Sequence, residues 1–301
     1  MLNRKQKHVL LKFFSMFSVV RGYNILVIVL AQYLASIFIF GKHLSLGQVV
    51  FDPALLMLVV ASAVSIAGGY IINNFYDSEK DLINRPNKSM LDKLVSQNTK
   101  LSFYFVLNFS AAIMASYVSF TAVLFFAVYI FLLWFYSHKL KRYAVLGNLI
   151  SAILTITPFF ALLIYYKHFN ATILWHAFYL FLLILIKEIV KDLENIKGDI
   201  TLDYKTIPIQ YGVKKTKLLI AFLIGLTIIP VSFLVNCHIV GQMEIYFLGS
   251  IAVLLFCLFL LWKATTKKQY VWLHNIIKIV MILGVLSILL IDVDLVINRI
   301  F

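Results

Sequence analysis

A chain of 301 residues with 62% hydrophobic and only 13% charged positions is far more apolar than a water-soluble domain, which carries roughly 45–50% apolar and about 25% charged residues; it belongs in a membrane. The formal net charge of +14 comes without zinc-finger spacing or an aromatic-basic sheet pattern, which excludes a nucleic-acid-binding module. Cys237 and Cys257, the latter inside an apolar run, make no disulfide framework, and the seven scattered histidines lack metal-ligand spacing.

In chain order, a basic stretch (Arg4, Lys5, Lys7, Lys12) precedes an apolar run from Asn24 to Phe40. It resembles a signal peptide, but no small-residue cleavage site follows and more apolar segments do, so an uncleaved first helix is expected. Crossing the hydrocarbon takes about 20 residues, and such stretches are predicted at 22–40, 53–75, 101–118, 120–137, 145–166, 171–190, 216–236, 244–262 and 271–297. The division of the third from the fourth rests on a turn at Ser119, Phe120 and Thr121. Charge bias supports it: with a cytoplasmic N-terminus, 23 of the 27 Lys and Arg fall in cytoplasmic segments, against Lys42, Lys167 and Arg299 outside. The reading is an all-α, polytopic bundle of nine transmembrane helices forming a single domain over residues 1–301, in a plasma membrane of the bacterial inner-membrane type.

Nine of the thirteen carboxylates gather in two cytoplasmic loops. Acidic groups near hydrocarbon are costly and need partners or a wet cavity. The first cluster runs on from the second apolar stretch as Asn73-Asn74-Phe75-Tyr76-Asp77-Ser78-Glu79-Lys80-Asp81. Asn73, Asp77 and Asp81 lie four apart, on one helix face. Like charges so spaced repel unless a cation bridges them, and hard oxygen ligands with open positions suit Mg²⁺ holding substrate phosphates.

The second cluster follows the sixth stretch, where Asp192, Asn195 and Asp199 again share a face at i, i+3 and i+7. Carboxylates on facing helices of a bundle build metal sites, and both clusters open on one membrane side, where two such stripes would grip one diphosphate. Cations complete the set, because a departing diphosphate has oxygens that Mg²⁺ leaves uncompensated: Arg85 and Lys88 follow the first cluster, Lys187, Lys191 and Lys205 surround the second. Tyr136 and Lys139 lie one turn apart at a span end, placed to offer a hydroxyl and an ammonium to one phosphate. Aromatics at 15% suit an apolar tunnel for an isoprenoid tail and cation-π contact with an allylic cation.

At these residues the chain resembles the UbiA superfamily of intramembrane prenyltransferases. That family's first motif, Asn-Asp-x-x-Asp-x-x-x-Asp followed by Arg-Pro, corresponds to Asn73–Asp81 and then Arg85-Pro86. Its second, Asp-x-x-x-Asp before a Lys-[Ser/Thr]-x-Pro stretch, corresponds to Asn195–Asp199 and Lys205-Thr206-Ile207-Pro208. A Tyr-x-x-Lys element appears as Tyr136-Ser137-His138-Lys139, and an N-terminal Arg-Pro-x-Asn signal, in part, as Arg21-Gly22-Tyr23-Asn24. Lys191-Asp192-Leu193-Glu194-Asn195 with Gly198-Asp199 looks closest to the geranylgeranylglyceryl-phosphate geranylgeranyltransferase branch, which makes ether lipids.

The resemblance implies Mg²⁺-dependent transfer of a prenyl group from a prenyl diphosphate to a lipid-like acceptor. Asn73, Asp77, Asp81, Asp192, Asn195 and Asp199 are the implied metal set; Asp77, Asp81, Asp199 and Lys139 the catalytic one; Arg21, Asn24, Arg85, Lys88, Tyr136, Lys191 and Lys205 the substrate contacts. The chain departs from the pattern at Asn74, where an Asp is common, at Asn195, which replaces the motif's first Asp, and at Gly22, which replaces a Pro. An aromatic quinone precursor (naphthoate or hydroxybenzoate) is the alternative acceptor. A cation-coupled transporter is the alternative outside enzymes, though carboxylates gathered at one face make no through-path.

Overall fold

The computed structural model describes residues 3–236, 240–293 and 297, with the side chains of Arg4, Lys5, His8 and Val9 outside that description. Cys237, Arg299 and residues 294–296 of the expected ninth span also lie outside it. Backbone polar groups in hydrocarbon must be satisfied within the segment, and the chain answers with helices: α1 (Arg4–Val19), α2 (Gly22–Ala35) ending in a π turn (Ser36–Phe40), α3 (Leu46–Val50), α4 (Pro53–Tyr76), α5 (Ser78–Asn84), α6 (Pro86–Asp92), α7 (Gln97–Val118), α8 (Phe120–His138), α9 (Leu146–Tyr166), α10 (Ala171–Thr201), α11 (Ile207–Tyr211), α12 (Val213–Leu226), α13 (Ile228–Asn236), α14 (Glu244–Lys263) and α15 (Lys267–Leu286). Among the described residues nine helices are long and apolar enough to cross a membrane, and their bounds follow the predicted stretches with a few informative exceptions.

The division at residue 119 is real and costs a single residue. Ser119 is extended between α7 and α8, and its side chain accepts from the Ala122 amide, capping α8. The sixth span was expected to stop near 190, but α10 runs unbroken to Thr201. The second cluster therefore rides on the continuation of a membrane helix. The seventh span breaks at Thr227 into α12 and α13, because Pro230 has no N–H to give to the preceding turn.

The chain divides into two compact units. One holds the chain up to Val29 together with Pro53–Leu140. Here α4 packs against α7 and α8, and two adjacent glycines allow the close approach: a Cβ on Gly68 would meet Asn108 of α7 at 2.8 Å, and one on Gly69 would meet Leu133 of α8 at 3.0 Å. The other unit holds Leu30–Asp52 and the chain from Lys141 onward. Its centre is α10, whose Leu182, Leu183, Ile184, Ile186 and Ile189 are fully enclosed against α9, α12, α13 and α15. Within the same unit Gln32 Nε2 donates 2.8 Å to the carbonyl of Pro158, the proline inside α9.

Gly69→Leu is expected to wedge α4 away from α8 and cost about 1–3 kcal/mol, as overpacking does; a thermal unfolding midpoint in detergent equal to wild type would contradict this packing account.

Candidate active site

In the first unit, the stripe of Asn73, Asp77 and Asp81 is preserved across a change of helix. Asp77 is a turn residue between α4 and α5, yet the Asp77 amide donates to the Asn73 carbonyl at 2.9 Å, Asp81 to Asp77 at 2.8 Å and Arg85 to Asp81 at 2.8 Å. The i→i+4 ladder thus runs through the junction and keeps all three oxygen donors on one side. All three side chains are half-buried.

Cations collect beside this stripe. The Arg21 guanidinium lies 5.0 Å from the centre of the Tyr70 ring, and Asn24 Nδ2 donates 3.1 Å to the Tyr70 hydroxyl, so both residues of the N-terminal element are held on α4. At Gly22 a Cβ would meet the ring of the exposed Phe17 at 2.1 Å, so a larger residue there would shift that ring. Lys88 on α6 is surrounded by Arg21, Asp92, Asp81 and Arg85; burial, then the Arg21 charge, hold its ammonium below the usual lysine range, against the opposing pull of Asp92 and Asp81. Three cations crowded near one carboxylate stripe make a place that an anion relieves. The end of α8 belongs here too, since the His138 ring lies 5.3 Å from that of Tyr76. Tyr136 is half-buried and Lys139, the residue that ends α8, is exposed.

In the second unit, Asp192, Asn195 and Asp199 share one face of α10. Asp199 is fully buried. Asp192 accepts 2.8 Å from Asn148 Nδ2 of α9, a partner that sequence reasoning missed because nothing in an apolar run marks one asparagine as special. Asn195 is buried, and its Oδ1 has no hydrogen-bond partner among the described residues. Lys191 is held by Glu188 at 2.9 Å, and Lys187 meets the same carboxylate at 2.9 Å. The exposed Lys205 is fixed through its backbone: its amide donates 2.9 Å to the Arg142 carbonyl, beside an isolated parallel bridge of Tyr143 with Lys205. On the opposite face of α10, Glu194 Oε2 lies 3.2 Å from His274 Nδ1 of α15, both enclosed. That contact, too, was invisible in sequence.

Among the described residues no three His, Cys, Asp or Glu side chains converge on a ready-made metal site. The donor set nevertheless fits Mg²⁺, which keeps waters and takes one or two carboxylates plus substrate phosphates. The residues here are oxygen donors only, and the buried Asn195 Oδ1 is an acceptor in want of a partner.

The pattern described as the UbiA prenyltransferase family matches residues 16–291. The chain belongs to that family. It is an enzyme that transfers prenyl groups, and an integral multi-pass membrane protein; the transporter alternative falls away. Digeranylgeranylglyceryl phosphate synthases are among its relatives. That of Sulfurisphaera tokodaii is 29% identical over 66% of this chain and 73% of its own, that of Thermococcus gammatolerans 32% over 65% and 70%, and that of Korarchaeum cryptofilum 28% over 80% and 86%. A structure of digeranylgeranylglyceryl phosphate synthase in membranes matches with a TM-score of 0.72 at 21% identity, covering 94% of this chain and 99% of that one. A UbiA homolog from Archaeoglobus fulgidus bound to GPP and Mg²⁺ matches with a TM-score of 0.67 at 14% identity, covering 91% and 99%. These likenesses show that the fold is the family's.

His274→Leu removes the imidazole from a buried carboxylate and is expected to cost about 1–3 kcal/mol, read as a lowered unfolding midpoint; pairing it with Glu194→Gln should recover part of the loss, and no interaction between the two substitutions would discount the contact.

Proposed function

We propose that this prenyltransferase joins a prenyl group from a prenyl diphosphate to a glyceryl phosphate lipid, forming an ether, in a plasma membrane of the bacterial inner-membrane type with the site at the cytoplasmic face. What carries the reading is the continuous Asn73, Asp77 and Asp81 stripe with Arg21, Arg85 and Lys88 gathered beside it. The acceptor is supported by the names of the relatives, and the sidedness by the basic bias of alternate loops.

Asn73, Asp77 and Asp81 from one stripe, and Asp192, Asn195 and Asp199 from the other, would hold Mg²⁺, which when bound offsets the negative charge of the leaving diphosphate. The basic bias of the loops gives those after the second and sixth spans the same sidedness. Arg21, Arg85 and Lys88 bind the remaining oxygens of the diphosphate, joined by Tyr136, Lys139, Lys191 and Lys205, with Asn24 orienting the N-terminal element. The prenyl C–O bond breaks with its electron pair leaving on the diphosphate; the acceptor hydroxyl oxygen forms the new C–O bond and gives up its proton to the released diphosphate. The apolar surroundings keep water from intercepting the prenyl group.

Asp77→Ala and Asp199→Ala should each lower transfer by about 100-fold or more while leaving folded protein in the membrane; wild-type turnover in either would refute the assignment. Presented with labelled prenyl diphosphate and a panel of glyceryl phosphate lipid, naphthoate and hydroxybenzoate, the purified protein should prenylate the first, and product from an aromatic acceptor alone would overturn the ether-lipid reading. Because Lys88 loses its proton below the usual lysine range, and only its charged form attracts the diphosphate, prenyl diphosphate affinity should fall as pH rises through that lowered value. Lys88→Met should raise KM and abolish this alkaline decline; an unchanged pH profile would remove Lys88 from the site.

A further inference from the structure

The segment that carries Asp77, Asp81, Arg85 and Lys88 leaves α4 at Tyr76, two residues after Asn74, and ends with α6 at Asp92. Its two ends are tied together: Asn74 Nδ2 donates 3.1 Å to Asp92 Oδ2. The same amide accepts from Lys100 Nζ of α7 at 2.9 Å, and the other Asp92 oxygen accepts from Ser18 Oγ of α1 at 3.0 Å. Lys88 Nζ lies 3.8 Å from Asp92 Oδ2. Asn74, Asp92 and Lys100 are 7%, 3% and 2% exposed.

We infer that Asn74, Asp92 and Lys100 are positioning residues, a buried clamp that closes the first-cluster loop on itself and holds its carboxylates and cations in register for the diphosphate. This rests on the reading of Asp77 and Asp81 as the metal-holding carboxylates, and deepens it. Three considerations support it. A buried ionic network is an uneconomical source of stability, since apolar replacements of similar volume do as well or better; what it supplies is defined geometry. Closing the ends of a loop in advance removes ordering that ligand binding would otherwise have to impose. The clamp also meets the site directly, because Asp92 Oδ2 serves both Asn74 and Lys88.

The clamp accounts for the departure from the family pattern at residue 74. An amide presents its oxygen to Lys100 and its N–H to Asp92, whereas an aspartate would set a second carboxylate within hydrogen-bonding distance of Asp92, with no proton between them. Asn74 is therefore matched to Asp92, and the pair can be exchanged.

The test compares wild type with Asn74→Asp, Lys100→Met and the exchanged pair Asn74→Asp/Asp92→Asn. Backbone hydrogen–deuterium exchange over residues 77–91 is measured without Mg²⁺, and the Mg²⁺ requirement and the KM values for prenyl diphosphate and acceptor are measured on the same preparations. In both single variants exchange should rise, and the Mg²⁺ requirement and prenyl diphosphate KM should increase about tenfold, the lower end of the effect of losing the outer support of a metal site, with acceptor KM unmoved. The exchanged pair should return most of each change. Unaltered exchange in Asn74→Asp and Lys100→Met overturns the clamp. Faster exchange with unaltered Mg²⁺ and prenyl diphosphate dependence overturns its positioning role. If Asp77→Ala is also fully active, the fault lies with the carboxylate reading and not with the clamp alone.

Discussion

A carboxylate at the end of a membrane helix is tolerated only when something compensates its charge, and that constraint organises both acidic clusters of this chain. Two kinds of compensation are visible. Asp92, Glu188 and Glu194 are satisfied by fixed protein partners: Lys100 through Asn74, the Lys187 and Lys191 pair, and His274. The striped residues share a helix face within each cluster: Asn73, Asp77 and Asp81 with Arg21, Arg85 and Lys88 beside them, and Asp192, Asn195 and Asp199 on α10. The first kind builds rigidity; the second is the set proposed to hold the metal and diphosphate.

The distinction explains how the departures from the family pattern are absorbed. Residue 74 belongs to the rigid set and is neutral because its neighbour Asp92 already carries the charge. Residue 195 belongs to the striped set. As an asparagine it keeps an oxygen donor while avoiding the cost of a further buried anion, and the adjacent Asp192, held by Asn148, retains a carboxylate on the same face. Nothing in the structure explains Gly22, since the ring of the exposed Phe17 beside it could shift to admit a larger residue.

Much of this was legible beforehand. The spans could be read because about 20 consecutive apolar residues have few other uses, and the stripes because i, i+4 spacing puts residues on one face whatever the fold. The extension of α10 to Thr201 was legible only in part: the i, i+3, i+7 spacing put Asp192, Asn195 and Asp199 on one helix face, but the charges after position 190 gave no sign that this helix continues the membrane span without a break. Nothing in the sequence marks Asn74, Lys100 and Asp92 as partners; only packing brings them together and buries them.

The sequence by itself determined the membrane class, the number of helices able to cross and the family, because each depends on composition or on spacing along one helix. Tertiary structure alone decided which polar groups meet across helices. Asn74 with Asp92, Asn148 with Asp192 and Glu194 with His274 are encounters between helices 18 to 80 positions apart in the chain, and local periodicity carries no information about which face of a distant helix will arrive opposite.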